Sequence, residues 1–313
     1  MVKVALDIHG GDHAPDVNIL GAVNAMSESK DNLHVCLVGD KDQAIKVLER
    51  EGVDPSLFSF EHCDDCITMG DHPVRAFMSK PHSSISKGFS LLKNKEVDAF
   101  ASTGNTGAML VGAMQTVKSI PGIIRPCISS ILPHTDGSVG LLLDVGTNAD
   151  CKPDVLYQFG ILGSIFASEV YKIEKPRVAL LNIGEEEEKG NLLTKAAYQL
   201  MSDNQLFNFI GNIEGSDLFS SKADVVVCDG FTGNVVLKQA EGFYELIKER
   251  NIQDDYFNQF NYEEYGGTPV LGVNGNVLIG HGKSSDVAVK KMLKLATEVS
   301  DANLPEKISK VFN

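Results

Sequence analysis

The sequence predicts an α/β protein with an open, largely parallel β-sheet covered by helices on both sides. Short apolar, β-branched runs alternate with segments of helical periodicity almost throughout the 313 residues. Most of these runs are continuously apolar rather than alternating, which is the pattern of parallel strands buried on both faces. No linker or low-complexity stretch divides the chain. We therefore expect residues 1–313 to form one α/β domain, with room for two lobes around one cleft.

The individual strands and helices are predicted from the period of their apolar residues. In the segment 191–203, apolar side chains recur every three or four residues and form a single helical stripe. Further helices are predicted at 41–51, 107–119, 153–172 and 284–300. Strands are predicted at 2–8, 34–39, 98–103, 139–146, 177–184, 207–213, 223–230 and 276–282. Strand and helix thus alternate along most of the chain.

Composition and charge exclude several classes of function. With 43% hydrophobic and 22% charged residues, the chain has the composition of an ordinary globular protein. Its net charge of −14 argues against binding to a nucleic-acid backbone, which needs a basic surface. No apolar run approaches the roughly 18 residues that span a bilayer, and residues 1–12 have a strand pattern rather than that of a signal peptide. We expect a cytoplasmic protein that binds any anion through local positive features.

The six cysteines are expected to be free thiols. Most of them stand in apolar or strand-like surroundings, as in a protein of a reducing compartment. Cys63 and Cys66 form a single Cys-x-x-Cys pair, which without a second pair is a weak zinc signal. The flanking acids Glu61, Asp64 and Asp65 are expected to raise the pKa of both thiols, which argues against a redox role.

Polar, glycine-rich loops follow five of the predicted strands. Because the carboxyl ends of parallel strands meet at one edge of a sheet, such loops are expected to form a cleft for a polar, anionic ligand. Glycine lets the backbone turn sharply, threonine and asparagine offer hydrogen bonds, and helix N-termini present free amides. None of the loops has the spacing of a P-loop or a dinucleotide-binding motif. They are HGGDHAPD at 9–16, TGNTGAM at 103–109, TNADCKPD at 147–154, EEEEKGN at 185–191 and FTGNVVLK at 231–238.

The tripeptide Thr-Gly-Asn occurs twice, at 103–105 and at 232–234. Each copy follows a predicted strand and is expected to open a helix. We interpret both copies as one physical solution to anion binding, used twice. The alternative for either copy is a simple turn between a strand and a helix, which Gly-Asn pairs also favour.

Four consecutive glutamates, Glu185 to Glu188, stand between a predicted strand and Lys189. Runs of acidic residues are most often solvated loops. A second interpretation is that the carboxylates hold the Lys189 loop in place, through neighbouring amides or across a dimer contact, and balance the charge of Lys189. A magnesium site is a third interpretation, because clustered carboxylates suit that ion. The sequence leaves the role of this run open.

In these motifs the chain resembles the phosphate acyltransferases of bacterial phospholipid synthesis. The matching motifs are long and specific, they follow the order of the family, and they cover nearly the whole chain. They are GGDHAP at 10–15, STGNTGA at 102–108, LLDVG with DCKP within 142–153, LLNIGEEEEKGN at 180–191, FIGN at 209–212, KADVVVCDGFTGNVVLK at 222–238 and YGG-P-LGVNG within 265–275.

The resemblance implies a three-layer α/β/α fold, related to isocitrate and isopropylmalate dehydrogenases and to phosphotransacetylases, in a homodimer. It also implies that the acyl group of an acyl-acyl carrier protein passes to inorganic phosphate. The resulting acyl phosphate would feed glycerol-3-phosphate acylation by a membrane acyltransferase. Phosphate is already anionic near neutral pH, so this chemistry needs fixed cations and amide donors rather than a nucleophilic serine or cysteine. No metal and no cofactor is expected.

The resemblance and the chemistry point to the same catalytic pair. Lys189 is expected to neutralise phosphate and the tetrahedral intermediate, and Asn234 to donate to the oxyanion or to position the phosphate. For His13, contact with phosphate and support of the adjacent glycine turn are open alternatives. Residues predicted to bind phosphate or substrate are Gly10, Gly11, Asp12, His13, Asn105, Thr106, Gly107, Asp229, Thr232 and Gly233.

Two surface features complete the prediction. Relatives carry a longer, apolar, amphipathic segment where residues 241–267 are short and acidic, so peripheral membrane association is not expected, although Phe257 and Phe260 could enter an interface. Acyl carrier proteins are acidic, as is this chain, so docking needs a local basic patch. The candidate patches are Lys290, Lys291 and Lys294, or Arg75, Lys80 and Lys87 with Arg125.

Two functions of other classes are kept as alternatives. An NAD-dependent decarboxylating dehydrogenase shares the general fold, but it would need metal-binding aspartates and an arginine cluster at these loops. A non-catalytic protein that binds anions or acyl groups would use the same loops as the enzyme. The sequence does not tell the preferred acyl-chain length or whether coenzyme A thioesters also serve.

Overall fold

The computed structural model describes residues 1–29 and 31–312, and at Tyr262 the backbone alone. In chain order the strands are β1 (Val2–Asp7), β2 (Leu33–Gly39), β3 (Ser59–His62), β4 (Ala99–Ser102), β5 (Cys127–Pro133), β6 (Val139–Leu143), β7 (Arg177–Leu181), β8 (Asn208–Ile213), β9 (Val225–Val227), β10 (Thr268–Leu271) and β11 (Asn276–Ile279). The helices are α1 (Asp16–Glu28), α2 (Lys41–Arg50), α3 (Pro73–Ser79), α4 (Ser84–Lys93), α5 (Thr106–Gly112), α6 (Pro153–Glu169), α7 (Leu192–Ser202), α8 (Gly230–Glu249), α9 (Asp255–Asn258), α10 (Asp286–Asp301) and α11 (Leu304–Phe312).

The chain divides into two compact units. The first unit comprises Met1–Ser119 and Tyr262–Pro305, and the second comprises Ile120–Asn261 and Glu306–Asn313. Within each unit the helices cover a mostly parallel sheet, so the predicted three-layer α/β/α fold is confirmed.

In the first unit the strand order is β3-β2-β1-β4-β11-β10. Neighbouring strands are parallel except for β10, which runs antiparallel to β11. Glycines allow the helices to approach closely. A Cβ atom at Gly21 of α1 would lie 2.5 Å from Val289 Cβ of α10, and one at Gly88 of α4 would overlap the ring of Phe100. The fully buried Phe89 and Phe100 form an edge-on pair at the centre of this core.

In the second unit the strand order is β5-β6-β9-β7-β8. β5 and β6 form an antiparallel pair, and the remaining neighbours are parallel. Strands β6, β9 and β7 are buried along nearly their whole length, as the continuous apolar pattern predicts. Helix α6 packs on them closely, since a Cβ atom at Gly163 would lie 2.5 Å from Val225 Cγ1.

Every strand predicted from the sequence occurs, but several end earlier than predicted. The predicted strand 139–146 ends at Leu143. The next residue, Asp144, still donates its backbone N–H to the Cys228 carbonyl at 3.0 Å, and its carboxylate accepts from amides of the loop that follows. Three observed strands were not predicted: β5 and β10, which run antiparallel to their chain neighbours, and the four-residue edge strand β3. None of the helices described is both long and apolar enough to cross a membrane.

Candidate active site

The predicted catalytic residues of the second unit follow two neighbouring strands of its sheet. Strands β6, β9 and β7 are parallel neighbours, so their carboxyl ends meet at one edge of the sheet. Asn234 belongs to α8, which begins directly after β9, and Lys189 lies in the loop after β7. The topology therefore places the Lys189 loop and the start of the Asn234 helix after adjacent strands.

Asn234 lies one turn inside α8 and is exposed. Its side chain lies over the loop after β6, because a Cβ atom at Gly146 would lie 3.4 Å from Asn234 Oδ1. Gly146 has a φ of +118°, which favours glycine at this point of the loop. Within residues 1–29 and 31–312, no hydrogen bond uses the Asn234 amide group. The amide can therefore donate to a ligand.

Lys189 is exposed, and its aliphatic stem covers Gly184. A Cβ atom at Gly184 would lie 2.8 Å from Lys189 Cγ. The Lys189 backbone N–H donates to the Glu186 carbonyl at 3.1 Å. In the part of the chain that the structure describes, the Lys189 ammonium group forms no ion pair. It is therefore a cation available to an anionic ligand.

Two of the four glutamates hold the Lys189 loop to its surroundings. Glu185 forms an ion pair with Lys222, whose ammonium group also lies 3.1 Å from Asp217. Glu187 accepts a hydrogen bond from Gln199 of α7. These contacts favour the interpretation of the run as a support for the loop. No group of three or more His, Cys, Asp or Glu side chains among the described residues could hold a metal ion.

Asparagine side chains hold the backbone of the same loop. Asn212 of β8 is buried, and its Nδ2 donates to the Glu186 carbonyl at 2.9 Å. Asn182 Nδ2 donates to the Lys189 carbonyl at 3.2 Å. The sequence reasoning did not single out either asparagine, although each lies in a quoted motif, LLNIG or FIGN. The loop is thus fixed on both sides of Lys189.

A buried carboxylate that the sequence reasoning missed lies beneath the Asn234 site. Asp144 follows β6 and has no exposed surface. Its Oδ1 accepts from the Ile128 N–H at 3.1 Å and from the Thr147 N–H at 3.4 Å. Its Oδ2 accepts from Asn148 N at 2.6 Å and from Asn148 Nδ2 at 3.0 Å. Asp144 thereby holds the loop 145–148 in shape.

The start of α8 is held by hydrogen bonds among its own polar groups. Asp229 is the N-cap, and its carboxylate accepts from Thr232 N at 2.8 Å and from Thr232 Oγ1 at 3.0 Å. Gly233 N donates to the Asp229 carbonyl at 3.0 Å, and Gly230 N donates to the Asn148 carbonyl at 2.8 Å. Through these bonds Asp229, Thr232 and Gly233 shape the helix start, and their contact with phosphate stays a prediction.

The first unit has a similar arrangement around Asp7, the last residue of β1, which is also buried. Asp7 Oδ1 accepts from the N–H groups of His9 at 2.9 Å and Gly10 at 3.2 Å, and Oδ2 accepts from Ser102 Oγ at 2.7 Å. A Cβ atom at Gly10 would lie 2.6 Å from Asp7 Oδ2, and Gly11 has a φ of +96°. Gly10 and Gly11 therefore form the turn that their sequence predicts.

Asp12, His13 and Thr106 are exposed on the loops of the first unit. The Asp12 N–H donates to the Gly282 carbonyl at 2.7 Å. Over the described ranges, the side chains of these three residues form no hydrogen bond within the protein. They stay predicted substrate contacts.

Asn105 has a structural role at the start of a helix. It is the N-cap of α5 and is only 5% exposed. Its Oδ1 accepts from Ala108 N at 3.0 Å, and its Nδ2 donates to the carbonyls of Thr68 and Asp71, each at 3.0 Å. Both amide hydrogens are thus used to hold the loop 68–71, and a contact between residue 105 and phosphate stays a prediction. Gly107 provides room for the ring of Pro73.

The two Thr-Gly-Asn copies are therefore not equivalent. Asn105 caps its helix, whereas in the second copy the cap is Asp229 and Asn234 lies one turn further on. The two copies thus start their helices differently, and anion binding by either copy stays a prediction. The difference leaves Asn234, but not Asn105, with an amide group that faces outward.

Most cations of the two predicted docking patches are already paired within the protein. Lys80 pairs with Asp71 at 2.8 Å, Lys87 with Glu61 at 3.0 Å, Lys290 with Glu28 at 2.9 Å and Lys291 with Glu264 at 2.7 Å. Arg125 belongs to the second unit, apart from the residues with which it was grouped. Neither patch is as positive as its sequence suggests.

All six cysteines are free thiols, and burial raises the pKa of each of them. Burial and then the charge of Glu61 raise the pKa of the Cys63 thiol to about 12. Burial and then the charge of Asp7 raise that of Cys66 to about 11. The predicted direction is confirmed, but burial contributes more than the acids that flank the pair.

These values predict slow reaction of the native thiols. A thiol of pKa 11 has about 300-fold less thiolate at pH 7.5 than one of pKa 8.5, and the thiolate is the reactive form. We expect iodoacetamide to modify the folded protein at least 100-fold more slowly than the protein in guanidinium chloride, where all cysteines react alike. Rapid alkylation of one cysteine in the folded protein would contradict this expectation. Mass spectrometry of timed samples measures both rates.

Comparison with known proteins agrees with the predicted family and with the fold. A family model described as "Fatty acid synthesis protein" matches residues 2–307. The chain is 40% identical over 335 residues to a phosphate acyltransferase of Dictyoglomus turgidum, covering 100% of this chain and 98% of that protein. It is 41% identical over 322 residues to a phosphate acyltransferase of Desulforamulus reducens, covering 97% and 95% respectively.

Among solved structures, a phosphotransacetylase from Streptococcus pyogenes is similar with a TM-score of 0.68 at 17% identity, over 96% of this chain and 94% of that one. This similarity shows the shared fold. The full-length matches to phosphate acyltransferases confirm the resemblance that the sequence motifs indicate. This chain therefore belongs to the fatty acid synthesis protein family.

Proposed function

We propose that the chain transfers the acyl group of an acyl-acyl carrier protein to inorganic phosphate, yielding acyl phosphate and free carrier protein. One observation carries this proposal: Lys189, on the loop after β7, and Asn234, in the first turns of α8 after β9, present an ammonium group and an amide group, neither of them paired within the described residues. The relatives support the proposal, since proteins named phosphate acyltransferase match this chain over nearly their whole length.

The proposed reaction begins when a phosphate oxygen attacks the carbonyl carbon of the thioester. A C–O bond forms, and the electron pair of the C=O π bond moves to oxygen, which becomes the oxyanion of a tetrahedral intermediate. The Lys189 ammonium group offsets the charge of the phosphate and of this oxyanion, and the Asn234 amide donates a hydrogen bond to it. Fixed donors of this kind stabilise a charge that develops only in the transition state.

The intermediate collapses when the C=O bond re-forms and the C–S bond breaks. The sulfur leaves with the electron pair as a thiolate and takes a proton from water. Because a thiol has a pKa of about 8.5, the thiolate is a good leaving group and needs no general acid. The products are an acyl phosphate and the thiol of the carrier protein. The chain supplies no cysteine nucleophile, since its thiols are buried or of raised pKa.

We further propose a cytoplasmic homodimer whose acyl phosphate is consumed by a membrane acyltransferase that acts on glycerol-3-phosphate. Acyl phosphates are reactive anhydrides, so an acceptor enzyme that uses them promptly is chemically favourable. Phe257 and Phe260 are half-buried and contact each other and Tyr256, which leaves them poorly placed to enter a lipid surface.

A product assay tests the reaction. The purified protein is mixed with a long-chain acyl-acyl carrier protein, with and without phosphate, and acyl phosphate is trapped with hydroxylamine as the hydroxamate. We expect hydroxamate only when phosphate is present. No product from a folded protein with several acyl-chain lengths would overturn the proposal and favour a non-catalytic binding protein.

Asn234→Ala is expected to lower the rate of acyl phosphate formation by roughly 10²–10³-fold, as is usual when an oxyanion donor is lost. The matched control is Gln239→Ala, which removes another exposed amide side chain from the same helix and should leave the rate within about twofold. Initial rates of the hydroxamate assay measure both variants. If Asn234→Ala kept more than half of the activity, Asn234 would not be a catalytic residue.

A further inference from the structure

We infer that Asp144 is a positioning residue that sets the place of the Asn234 amide in the proposed active site. Asp144 is too deeply buried to touch a substrate. The kinetic effects expected from this positioning role rest on the proposed function, whereas the expected change in the position of Asn234 does not.

The Asp144 carboxylate is fully used by four donors. Each oxygen accepts two hydrogen bonds: Oδ1 from the N–H groups of Ile128 and Thr147, and Oδ2 from the N–H and side-chain amide of Asn148. Asparagine has the same shape but offers one acceptor oxygen, and its NH₂ group is a donor. In Asp144→Asn, at least two buried donors would therefore face another donor, and the loop 145–148 would have to move.

Two contacts transmit the position of this loop to Asn234. Gly146 lies directly under the Asn234 side chain, since a Cβ atom added at Gly146 would lie 3.4 Å from Asn234 Oδ1. The carbonyl of Asn148 accepts the Gly230 N–H at 2.8 Å, which ties the loop to the first residue of α8. Displacement of the loop would thus shift both the surface below the amide and the helix that carries it.

The backbone of Asp144 provides a third contact with α8. A Cβ atom at Gly233 would overlap the Asp144 carbonyl oxygen, and one at Gly230 would lie 2.7 Å from Asp144 Oδ2. The side-chain carboxylate and the backbone carbonyl of Asp144 therefore both lie against the helix turn that precedes Asn234. This contact explains why glycines occupy both positions.

The charge of Asp144 is itself informative. A buried carboxylate near a site for anions disfavours binding, because like charges repel in a medium of low dielectric constant, so its presence there calls for a structural reason. The four hydrogen bonds are that reason. A neutral side chain cannot satisfy them all, so we attribute the carboxylate to the orientation of the loop rather than to substrate binding.

A double-mutant cycle tests the inference. Asp144→Asn should lower kcat by about 10–10²-fold, with the KM for each substrate within about threefold, since a displacement near 1 Å can cost this much. In the Asn234→Ala background, Asp144→Asn should lower the residual rate by no more than about threefold, because the group it positions is gone. Losses that multiply in the double variant would overturn the inference.

Asp224→Asn is the matched control. Asp224 is a largely buried aspartate of the same sheet, paired with Arg177 at 2.8 Å just before β9, at the opposite end of that strand from α8. We expect it to lower thermal stability but to change kcat by the same small factor with and without Asn234. If Asp144→Asn does not fold, Asn148→Ala removes one of the four donors more gently and should give the same coupling.

A spectroscopic arm separates failure of this inference from failure of the proposed function. With asparagine labelled with ¹⁵N, the side-chain amide signal of Asn234 is identified by its loss in Asn234→Ala. That signal should shift or broaden in Asp144→Asn and stay in place in Asp224→Asn. If the wild-type protein made no acyl phosphate but the signal shifted, the proposed function would fall and the positioning role would stand. An unchanged signal would refute the positioning role.

Discussion

Replacing Lys189 with alanine is expected to lower acyl phosphate formation by roughly 10²–10³-fold, because the transition state then loses its fixed positive charge. Lys189 stands on a loop held by Asn182, Asn212 and the side chains of Glu185 and Glu187, so its ammonium group is presented from a fixed backbone. The loss should appear in kcat and also as a higher KM for phosphate, since the same charge attracts the free ion. Steady-state rates at varied phosphate concentration measure both quantities.

Lys195→Ala provides the control for this prediction. Lys195 is exposed on α7, close in sequence to Lys189, and its side chain forms no ion pair within the ranges that the structure describes. Its loss changes the net charge by the same amount, and we expect the rate to stay within about twofold. If both variants lost activity equally, general electrostatic attraction rather than a specific role of Lys189 would explain the effect.

The sequence predicts the parallel core well because burial on both faces leaves a clear trace. The runs that form β6, β9 and β7 are almost continuously apolar, and each is a buried strand of the structure. β5 and β10 escape prediction because antiparallel pairing gives no comparable signal in such short segments. The three-layer arrangement follows from the regular alternation of strand and helix.

Within the site, the sequence predicts which polar residues lie near the ends of the strands better than it predicts the role of each residue. Lys189 and Asn234 have outward-facing polar groups, as their motifs suggest, but Asn105 and Asp229 use theirs to cap helices. Gly-Asn and Asp-Gly sequences suit helix caps and ligand-binding loops equally well. Only the hydrogen-bond partners in the structure distinguish a residue that caps a helix from one that can contact a ligand.

The buried aspartates are the largest omission of the sequence reasoning. Asp7 and Asp144 each follow an apolar run, in VALD and LLLD, and each accepts backbone N–H groups of the loop that comes next. A single acid at the end of a buried strand was a usable signal, because a carboxylate rarely enters a core without partners. The number and identity of those partners depend on the tertiary structure and could not be read from spacing.

Gly233→Ala is expected to destabilise the protein by about 1–3 kcal/mol and to lower acyl phosphate formation at least tenfold. The added Cβ atom would overlap the carbonyl oxygen of Asp144 and lie 3.0 Å from Cys228 Sγ. A backbone oxygen cannot rotate away as a flexible side chain can, so the first turn of α8 must move, and Asn234 moves with it. Guanidinium denaturation and the hydroxamate assay measure the two effects.

Gly242→Ala separates this clash from the ordinary effect of alanine in a helix. Gly242 lies in the same helix, and a Cβ atom there would have no neighbour within 4 Å. Because alanine has the higher helix propensity, this variant should be more stable by up to about 1 kcal/mol and fully active. If both substitutions stabilised the protein, α8 could move away from the Asp144 carbonyl without a loss in the free energy of unfolding. The opposite signs that we expect would show that close approach to Asp144, and not helix propensity, fixes glycine at position 233.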